Sequence, residues 1–388
     1  MSKIEDLIKQ YCPDGVEYKE LGEVANISTG LNPRKNFILN TYDADKHYVT
    51  VKEITSGEIK FGDNTDKINL DAWNIIQKRS NVQQGSVLLS GIGTIGKVAV
   101  VTDSNFDWNC SESIYVINPN LSELDSYFLK YYLESSQIQY LMHRKSQGGT
   151  LKGIRRGDLK RFMIPIPHIA VQDEIVRILD KFTELEKELE KELELRRKQY
   201  EFYRDKLLTF GDEVERERLG DVTNVCRGKR VVKRELSDSV GHPVYQNSLS
   251  ILGYYMDSNY PANTSFVIGA GAAGEIGYSL TDFWAADDCF PIICKGTLLD
   301  RFVFYFLMQN QAVLKSKVRK ASIPRLSRDE IENLIISIPS PTEQERIVKI
   351  LDKFDTLTTS LTSGLPAEIK LRKQQYEYYR DYLFGLLR

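Results

Sequence analysis

Two long stretches of the chain have the hydrophobic spacing of helices that pack along a single seam. In residues 172–208, apolar side chains recur at alternating intervals of three and four residues, starting at Ile175. This spacing predicts an amphipathic helix of the coiled-coil type. A second stretch with the same spacing starts at Ile347, and Thr342 and Glu345 just before it are spaced as a capping box. We therefore expect a second long helix that begins near residue 342.

The two helical stretches are copies of one sequence. Ile175–Phe182 (IVRILDKF) recurs as Ile347–Phe354 (IVKILDKF), and Gln199–Asp205 (QYEFYRD) recurs as Gln375–Asp381 (QYEYYRD). The first pair of blocks is offset by 172 residues and the second pair by 176, so the second copy has four extra residues between its blocks. Matches of this length indicate an internal repeat in which both helices have the same role.

The four extra residues predict an interruption in the second helix. They include Gly364 and lie beside Pro366. A four-residue insertion disturbs the register of a coiled coil, and proline removes a backbone hydrogen bond from a helix. We therefore expect a bend or a break at this point. Because each helix has an apolar seam without a partner, we expect the two helices to pack antiparallel against each other.

The segments ahead of the helices also repeat, but more loosely. Leu21–Val24 (LGEV) matches Leu219–Val222 (LGDV), and the glycine motif Gly91–Gly96 (GIGTIG) matches Gly269–Gly274 (GAGAAG). The helices match closely whereas these segments match only in outline. We therefore expect each segment to perform its own version of a shared task.

Short strands and a single following helix are predicted in each of these segments. Strands are indicated by runs of β-branched residues between Gly, Asn and Asp, at 87–91, 97–101, 114–117 and 265–269. Aromatic amphipathic stretches predict one helix in each segment, at 125–142 and at 300–315.

The order of these elements predicts an α+β protein with an internal pseudo-twofold repeat. Two similar mixed α/β domains are separated by two long, antiparallel coiled-coil helices. The predicted segments are a first domain with a short N-terminal segment (1–165), a central helix (166–212), a second domain (213–337) and a C-terminal helix (338–388).

The overall charge hides separate acidic and basic regions. The formal net charge is −2, which by itself argues against nucleic-acid binding because DNA-binding domains are often basic. Residues 185–194 form an acid-rich helical face. Three basic clusters contain Arg227, Lys229, Arg230, Lys233 and Arg234; Lys315, Lys317, Arg319, Lys320, Arg325 and Arg328; and His143, Arg144, Lys145, Lys152, Arg155, Arg156, Lys160 and Arg161. A charge run is usually a solvated face, but two clusters occupy equivalent places in the repeat, which favours a binding surface.

Motifs that indicate catalysis or cofactor binding are weak in this sequence. The glycine motifs match the dinucleotide fingerprint, which requires a helix to open on its last glycine, but strand-like residues follow both copies. We therefore expect the glycines to form a tight hairpin or to allow a close backbone approach. The four histidines are too dispersed for a metal site or a catalytic triad. We predict no catalytic residue and no metal site.

Cysteine usage and the N-terminal sequence indicate a cytoplasmic protein. The five cysteines are odd in number and scattered, which favours reduced thiols. The N-terminus lacks an apolar signal core, and no apolar run approaches the roughly 18 residues of a membrane-spanning helix.

In combination and in duplicate, these motifs closely resemble the specificity subunit of type I restriction-modification systems. The resemblance rests on Leu-Gly-(Glu/Asp)-Val at the start of each domain and on Gly-Thr-Ile-Gly-Lys-Val at 93–98. It also rests on Ile-Pro, a following glutamine, and the repeated Ile-Val-(Arg/Lys)-Ile-Leu-Asp-Lys-Phe and Gln-Tyr-Glu-(Phe/Tyr)-Tyr-Arg-Asp blocks. It extends over essentially the whole chain.

The resemblance implies a non-catalytic protein that reads DNA for its partners. Each domain is expected to recognise one half of a bipartite site in double-stranded DNA, while the helices act as a spacer and dock two modification (methyltransferase) subunits. ATP-dependent restriction subunits can join the complex. S-adenosylmethionine, ATP and magnesium then belong to the partner subunits, and no cofactor is expected in this chain.

Lysine and arginine contacts to phosphates supply affinity, and side chains at base edges supply specificity. The residues expected to contact DNA are Arg34, Lys35, Arg144, Lys145, Arg155 and Arg156 in the first domain, and Arg227, Lys229, Arg230, Lys317, Arg319, Lys320 and Arg325 in the second. Two alternatives follow from other features of the sequence. The acidic helix would suit a coiled-coil scaffold that binds only protein, and the glycine motifs would suit a nucleotide-dependent enzyme.

Overall fold

The computed structural model describes residues 2–33, 36–146, 152–360 and 362–388. The chain divides into two compact units, one formed by residues 1–188 and 369–388 and the other by residues 189–368. Two helices, α7 (Ile169–Leu207) and α13 (Leu365–Gly385), contribute residues to both units. The division into the four segments predicted from the sequence remains a proposal.

The first unit combines a strand-rich domain with parts of the two long helices. Its other helices are α1 (Ser2–Tyr11), α2 (Leu21–Val24), α3 (Leu70–Ser80), α4 (Ser126–Glu134), α5 (Ser136–Lys145) and α6 (Arg156–Lys160). Its strands are β1 (Glu17–Glu20), β2 (Ala25–Thr29), β3 (Lys46–Val49), β4 (Ile54–Thr55), β5 (Glu58–Ile59), β6 (Lys67–Ile68), β7 (Val87–Ser90), β8 (Val98–Val100), β9 (Trp108–Cys110), β10 (Ile114–Pro119) and β11 (Met163–Ile166).

The second unit has a similar set of elements. Its helices are α8 (Leu219–Val222), α9 (Asp300–Gln309), α10 (Gln311–Ser316), α11 (Arg328–Glu332) and α12 (Pro341–Thr359), with one 3-10 turn at Lys233–Glu235. Its strands are β12 (Arg216–Arg218), β13 (Thr223–Val225), β14 (His242–Tyr245), β15 (Tyr254–Tyr255), β16 (Thr264–Ile268), β17 (Ile276–Ser279), β18 (Trp284–Ala285), β19 (Cys289–Cys294) and β20 (Ile335–Ser337).

The sheets of the two units correspond strand for strand. An antiparallel four-stranded sheet has the order β2-β10-β7-β8 in the first unit and β13-β19-β16-β17 in the second. A smaller three-stranded sheet has the order β6-β3-β9 in the first unit and β15-β14-β18 in the second. Its last two strands, β3 and β9 or β14 and β18, are parallel. The first unit adds the β4-β5 hairpin and the helix α3. The loose sequence repeat therefore encodes one fold twice.

Hydrophobic residues of the four-stranded sheet, the helix that follows it and the long helices form one core in each unit. In the first unit this core includes Phe128 of α4 and Leu179 of α7, both fully buried. In the second it includes Phe302 of α9 and Leu351 of α12, also buried. Burial of the apolar seams, predicted from their spacing, thus fastens each domain to the helical part of its own unit.

A buried glutamine joins each domain to the start of the helix that follows it. Gln172 accepts a hydrogen bond from the Asp125 backbone N–H at 2.9 Å and donates one to the Pro167 carbonyl at 2.9 Å. Gln344 makes the same pair of bonds, with the Leu299 N–H and the Pro339 carbonyl, both at 2.9 Å. Both glutamines are fully buried. They satisfy backbone groups that would otherwise be buried without partners.

A tyrosine–aspartate bond forms a second link at an equivalent place in each unit. The Tyr131 hydroxyl donates to Asp180 at 2.6 Å, and the Tyr305 hydroxyl donates to Asp352 at 2.6 Å. Burial and the carboxylate acceptor raise the pKa of both tyrosines, so both hydroxyls keep the proton that they donate. In the second unit Arg301 adds two bonds of 2.7 Å to the same helix.

The repeated helical blocks contact each other within both units. Phe182 stacks on Tyr379 with ring centroids 5.4 Å apart in the first unit, and Phe354 stacks on Tyr203 at 5.6 Å in the second. Each stacked pair joins the first block of one helical copy to the second block of the other. In the first unit Lys373 also pairs with Glu186 at 3.0 Å. Residue numbers therefore rise along α7 as they fall along α13, and the antiparallel prediction is confirmed for these helices.

The predicted interruption of the second long helix is confirmed. α12 ends at Thr359 and α13 begins at Leu365. Gly364 lies so close to the end of α12 that an added Cβ would be 2.4 Å from the Thr356 carbonyl oxygen. A larger residue here would therefore require the backbone at Thr356 and Leu357 or at residue 364 itself to move.

Two helix predictions were wrong in detail. The aromatic helices predicted at 125–142 and 300–315 are each broken in two. Ser135 interrupts the first because its backbone is extended and its hydroxyl donates to the Tyr132 carbonyl at 2.7 Å. Asn310 interrupts the second, and its side chain donates to the Phe306 carbonyl at 2.9 Å. Short polar side chains compete here for the backbone bonds of a continuous helix.

The start of α12 also differs from the prediction. Ser340, rather than Thr342, caps the helix, and its hydroxyl accepts from the Glu343 backbone N–H at 3.4 Å. Pro341 takes the first helical position, where its missing N–H costs nothing. The Ser-Pro pair therefore overrides the capping-box spacing.

The buried glutamine yields a test of this architecture. Replacing Gln344 by Ala should leave the Leu299 N–H and the Pro339 carbonyl without partners, each at a cost of about 1–3 kcal/mol. We expect the unfolding transition measured by scanning calorimetry to fall by at least about 2–4 °C. The matched control is Gln374→Ala, because Gln374 is exposed on α13. Equal melting temperatures for the two variants would show that the glutamine link is dispensable.

Candidate nucleic-acid interface

The glycine motif of the first unit forms the tight turn between β7 and β8. The Gly96 N–H donates to the Ser90 carbonyl at 3.0 Å, which closes the turn. Gly93 adopts φ of 80°, a conformation that glycine reaches without strain. A strand rather than a helix follows the last glycine. The hairpin prediction is confirmed, and the loop lacks the helix start that would bind a dinucleotide phosphate.

The second unit repeats this turn between β16 and β17. Its Gly274 N–H donates to the Ile268 carbonyl at 2.8 Å, and Gly271 has φ of 81°. Both motifs therefore build the same loop at the same place in the four-stranded sheet.

Each glycine loop holds a basic segment of its own domain by backbone hydrogen bonds. In the first unit, Gly93 donates to the Lys152 carbonyl at 2.9 Å and Ile154 donates to the Gly91 carbonyl at 2.9 Å. In the second unit, the corresponding bonds are Gly271 to Pro324 at 3.1 Å and Leu326 to Gly269 at 2.8 Å. The loops therefore position segments that carry clustered positive charge.

The basic segment of the second unit folds into a small hairpin. The Arg319 N–H donates to the Arg325 carbonyl at 2.8 Å, and the Arg325 N–H donates to the Arg319 carbonyl at 3.2 Å. Residues 320–324 form the tip, and all of them are exposed. Lys320 is at this tip, while Lys317 caps the C-terminus of α10. Four of the residues expected to contact DNA are thereby brought into one short exposed segment.

Four arginines surround an open groove of about 480 Å³ beside this hairpin. They are Arg227, Arg319, Arg325 and Arg328. Phe290 and the buried Leu326 provide its apolar lining. Among the described residues no carboxylate forms an ion pair with Arg227, Arg319 or Arg325, whereas Arg328 pairs with Glu332 at 3.1 Å. The groove therefore concentrates positive charge on a partly apolar surface, which suits the backbone of a nucleic acid.

Arg227 reaches the groove from a different part of the chain. It follows β13, and its guanidinium donates to the Asp287 carbonyl at 3.4 Å. Tyr260 supports the same segment because its hydroxyl donates to the Arg227 carbonyl at 3.3 Å. Burial raises the pKa of Tyr260 to about 12, so this hydroxyl stays protonated near neutrality. Two basic clusters that are far apart in sequence thus meet at one groove.

The remaining cations expected in the second domain lie outside the lining of this groove. Lys229 and Arg230 are exposed. The backbone of Lys229 is fixed on both sides, with its N–H donating to Ala285 and its carbonyl accepting from the Trp284 indole, both at 2.8 Å.

In the first unit, the described basic residues flank the segment that the glycine loop holds. Arg144 and Lys145 occupy the last turn of α5, and Arg155 and Arg156 open α6; all four are exposed. Arg34 and Lys35, also expected to contact DNA, lie outside the described residues.

Sequence reasoning missed Arg328 as a site residue, although the repeat contained the signal. Arg328 is 172 residues after Arg156, the offset of the first helical blocks, and both residues open a short helix. Lys145 and Lys317 have the same offset, and both lie at the end of a helix. The equivalence therefore holds for two pairs of cations in the two domains.

The chemistry of the other candidate groups is unremarkable. All five cysteines are free thiols, and burial raises the pKa of Cys110 to about 12. Within the described ranges, no group of three or more His, Cys, Asp and Glu side chains is placed to hold a metal ion. No described helix combines the length and the apolar character needed to cross a membrane.

Comparison with known proteins assigns the family. Residues 13–195 and 211–371 match the family model described as the type I restriction modification DNA specificity domain. The chain belongs to this family. Two matched regions in one type I specificity protein agree with the two repeated domains, and the resemblance seen in the sequence is confirmed.

Relatives of this type I specificity protein match different shares of its length. The specificity subunit of the EcoR124I/EcoR124II type I restriction enzyme of Escherichia coli is 34% identical over 255 residues, covering 58% of this chain and 63% of that subunit, which is less than two thirds of its length. A putative type I restriction enzyme specificity subunit of Haemophilus influenzae is 34% identical over 300 residues, covering 70% of this chain and 75% of the relative.

A solved structure supports the fold. The crystal structure of a type I restriction-modification S subunit from M. genitalium matches with a TM-score of 0.56 at 21% identity and covers 96% of both chains. The predicted class, α+β with two similar domains and long helices, is confirmed.

The basic hairpin gives a test of charge. Replacing Lys317, Arg319 and Lys320 together by Ala should weaken binding of the assembled complex to DNA. For each phosphate contact that is lost, one counterion fewer is released from the DNA on binding. We expect the slope of log K against log salt to flatten by about 3, near one per cation. Fluorescence anisotropy over a salt series measures both quantities.

The matched control keeps the charges but exchanges their side chains, as K317R/R319K/K320R. It should retain affinity and slope. An Ala variant with an unchanged slope would mean that this cluster is only a solvated face.

Proposed function

We propose that this chain is the DNA sequence-specificity subunit of a type I restriction-modification complex. Each domain reads one half of a bipartite site in double-stranded DNA. The observation that carries the proposal is the duplicated arrangement in which a glycine loop holds an exposed basic segment. Two equivalent reading surfaces on non-identical domains suit a target with two different halves.

The proposed domains are residues 1–165 and 213–337, and the proposed helical segments are 166–212 and 338–388. The helices act as the spacer between half-sites and as the docking surface for two modification subunits. The continuous α7 supports a spacer role, since its 39 residues extend for about 58 Å. Restriction subunits join the same complex, which acts in the cytoplasm.

The proposed DNA contacts are Arg34, Lys35, Arg144, Lys145, Arg155, Arg156, Arg227, Lys229, Arg230, Lys317, Arg319, Lys320 and Arg325. Arg328 is added to this set because it lines the groove with Arg227, Arg319 and Arg325. Phosphate binding by these cations supplies affinity, and arginine is also the best donor to guanine edges.

The chain has no catalytic role of its own in this proposal. S-adenosylmethionine, ATP and magnesium are used by the partner subunits. The glycine hairpins argue against a nucleotide-dependent enzyme. Family membership and the arginine-lined groove favour a DNA reader over a scaffold that binds only protein.

Dependence on a partner gives the most direct test of function. The purified chain alone should transfer no methyl group and cut no DNA. Addition of the modification subunit should produce adenine methylation at one bipartite sequence, which transfer of radiolabelled methyl groups and methylation-sensitive long-read sequencing can measure. The modification subunit alone is the control. Substantial S-adenosylmethionine turnover by the chain alone would contradict the proposal.

A domain exchange tests the assignment of half-sites. Replacing residues 213–337 by the equivalent segment of a relative should change one half of the methylated sequence and preserve the other half and the spacing. Each domain has its own core, so the exchange leaves the first domain intact. Sequencing of the methylated sites gives the answer, and a simultaneous change in both halves would refute independent reading.

A further inference from the structure

We propose that Ile323 is a specificity-determining residue that contacts the methyl group of a thymine in the half-site read by the second domain. This inference rests on the proposed function and deepens it, because it assigns one side chain to base recognition. It starts from the basic hairpin, defined by Arg319 and Arg325 and their five-residue tip.

The base of the hairpin is fixed to the core of the second unit. The two reciprocal backbone bonds between Arg319 and Arg325 close it. On either side of Arg325, the Pro324 carbonyl accepts a hydrogen bond from the Gly271 N–H, and the Leu326 N–H donates one to the Gly269 carbonyl. Leu326 is only 3% exposed and belongs to the core. A tip anchored in this way presents its side chains with little loss of backbone freedom on binding.

The largest apolar side chain at the exposed tip of the hairpin is Ile323. Ile323 is 53% exposed, only three residues from the buried Leu326. The other tip residues are Lys320, Ala321, Ser322 and Pro324. Ile323 therefore offers apolar surface to a molecule bound at this hairpin.

The surrounding charge identifies that partner. Arg319 and Arg325 flank the tip and also line the four-arginine groove. In the part of the chain that the structure describes, neither arginine forms an ion pair with a carboxylate, and free cations on both sides of the tip favour a polyanion over the apolar surface of another protein. The combination fits duplex DNA, with the cations on the phosphates and the isoleucine directed between them.

The chemistry of the DNA grooves then selects the contact. Phosphates and sugars gain nothing from an isoleucine, whereas the thymine methyl group in the major groove is apolar and is read by apolar side chains. The major groove is about 12 Å wide and admits a two-stranded ribbon, which matches a narrow hairpin. Contact with a methyl group also avoids the cost of unstacking bases that a wedge would require.

The inference is confined to the second domain. Leu151 stands at the position 172 residues before Ile323 in the sequence, and it lies outside the described residues.

The test uses the full chain assembled with its modification subunits and a duplex carrying the site found by methylation sequencing. Each thymine of the second half-site is replaced in turn by deoxyuridine, which removes the methyl group and nothing else. At one position, this replacement should weaken binding of the wild type about fourfold, the effect of one buried carbon. The Ile323→Ala variant should bind the unmodified duplex about fourfold more weakly than the wild type does. Replacing the thymine at that position by deoxyuridine should then cause no further loss of affinity.

Two controls separate this contact from general effects. Leu280 is a matched apolar residue, 74% exposed, that follows β17 at the end opposite the glycine loop. Leu280→Ala should retain the wild-type response to every deoxyuridine. Ile323→Val keeps a branched apolar side chain and should retain most of the discrimination, and melting temperatures should be equal for all variants because both positions are exposed.

The outcomes distinguish the two levels of the argument. If the wild-type complex shows no preference for any DNA sequence, the proposed function fails and the assignment of Ile323 fails with it. If the wild type reads its site but Ile323→Ala responds to every deoxyuridine as the wild type does, the assignment of Ile323 alone is overturned.

Discussion

A single buried amide in each unit decides how the rest of the structure is arranged. The side-chain oxygen of Gln172 or Gln344 accepts a hydrogen bond from the backbone N–H at the start of the aromatic helix, α4 or α9. The side-chain nitrogen donates to the carbonyl of the proline that precedes the long helix, α7 or α12. One side chain therefore ties two elements that come from different parts of the domain. Because an unpaired amide is costly in a dry core, the alternative arrangements of these elements are strongly disfavoured.

The consequences of this link extend to the basic surfaces. Once the aromatic helix is fixed to the long helix, the tyrosine–aspartate bond and the core beneath the four-stranded sheet follow at equivalent places in both units. The sheet carries the glycine turn, and the glycine turn holds the basic segment. A chain of short-range contacts thus connects the start of each long helix to an exposed basic segment of its domain.

The sequence predicted those features that depend on spacing or on glycine. Apolar periodicity predicted the long helices, and the four extra residues around Gly364 predicted the break between α12 and α13. The sequence could not predict the breaks at Ser135 and Asn310. A short polar residue inside an apolar stretch is compatible with either a continuous helix or a kink, and the outcome depends on which backbone group its side chain binds.

The site was predictable in composition but not in shape. The basic clusters were visible in the sequence, but the meeting of Arg227 with Arg319 and Arg325 depends on long-range pairing of β13, β19 and β16, for which local sequence carries no signal. Arg328 was within reach of prediction through its equivalence to Arg156. The repeat, rather than the local motif, held that information.

The two units are built from the chain in different ways, and this affects how the protein is made. The second unit uses one continuous stretch, residues 189–368, whereas the core of the first unit includes both Ile4 and the late residues Leu383, Phe384 and Leu387. The residues of the second unit are therefore translated before the late residues that complete the core of the first. The first unit must wait with an unfilled core until the last helix emerges, although its domain is translated first. N-terminal domains usually fold first during synthesis, but this one cannot complete its core at that stage, and its uncovered apolar surface is the part of the new chain that a chaperone would be expected to cover.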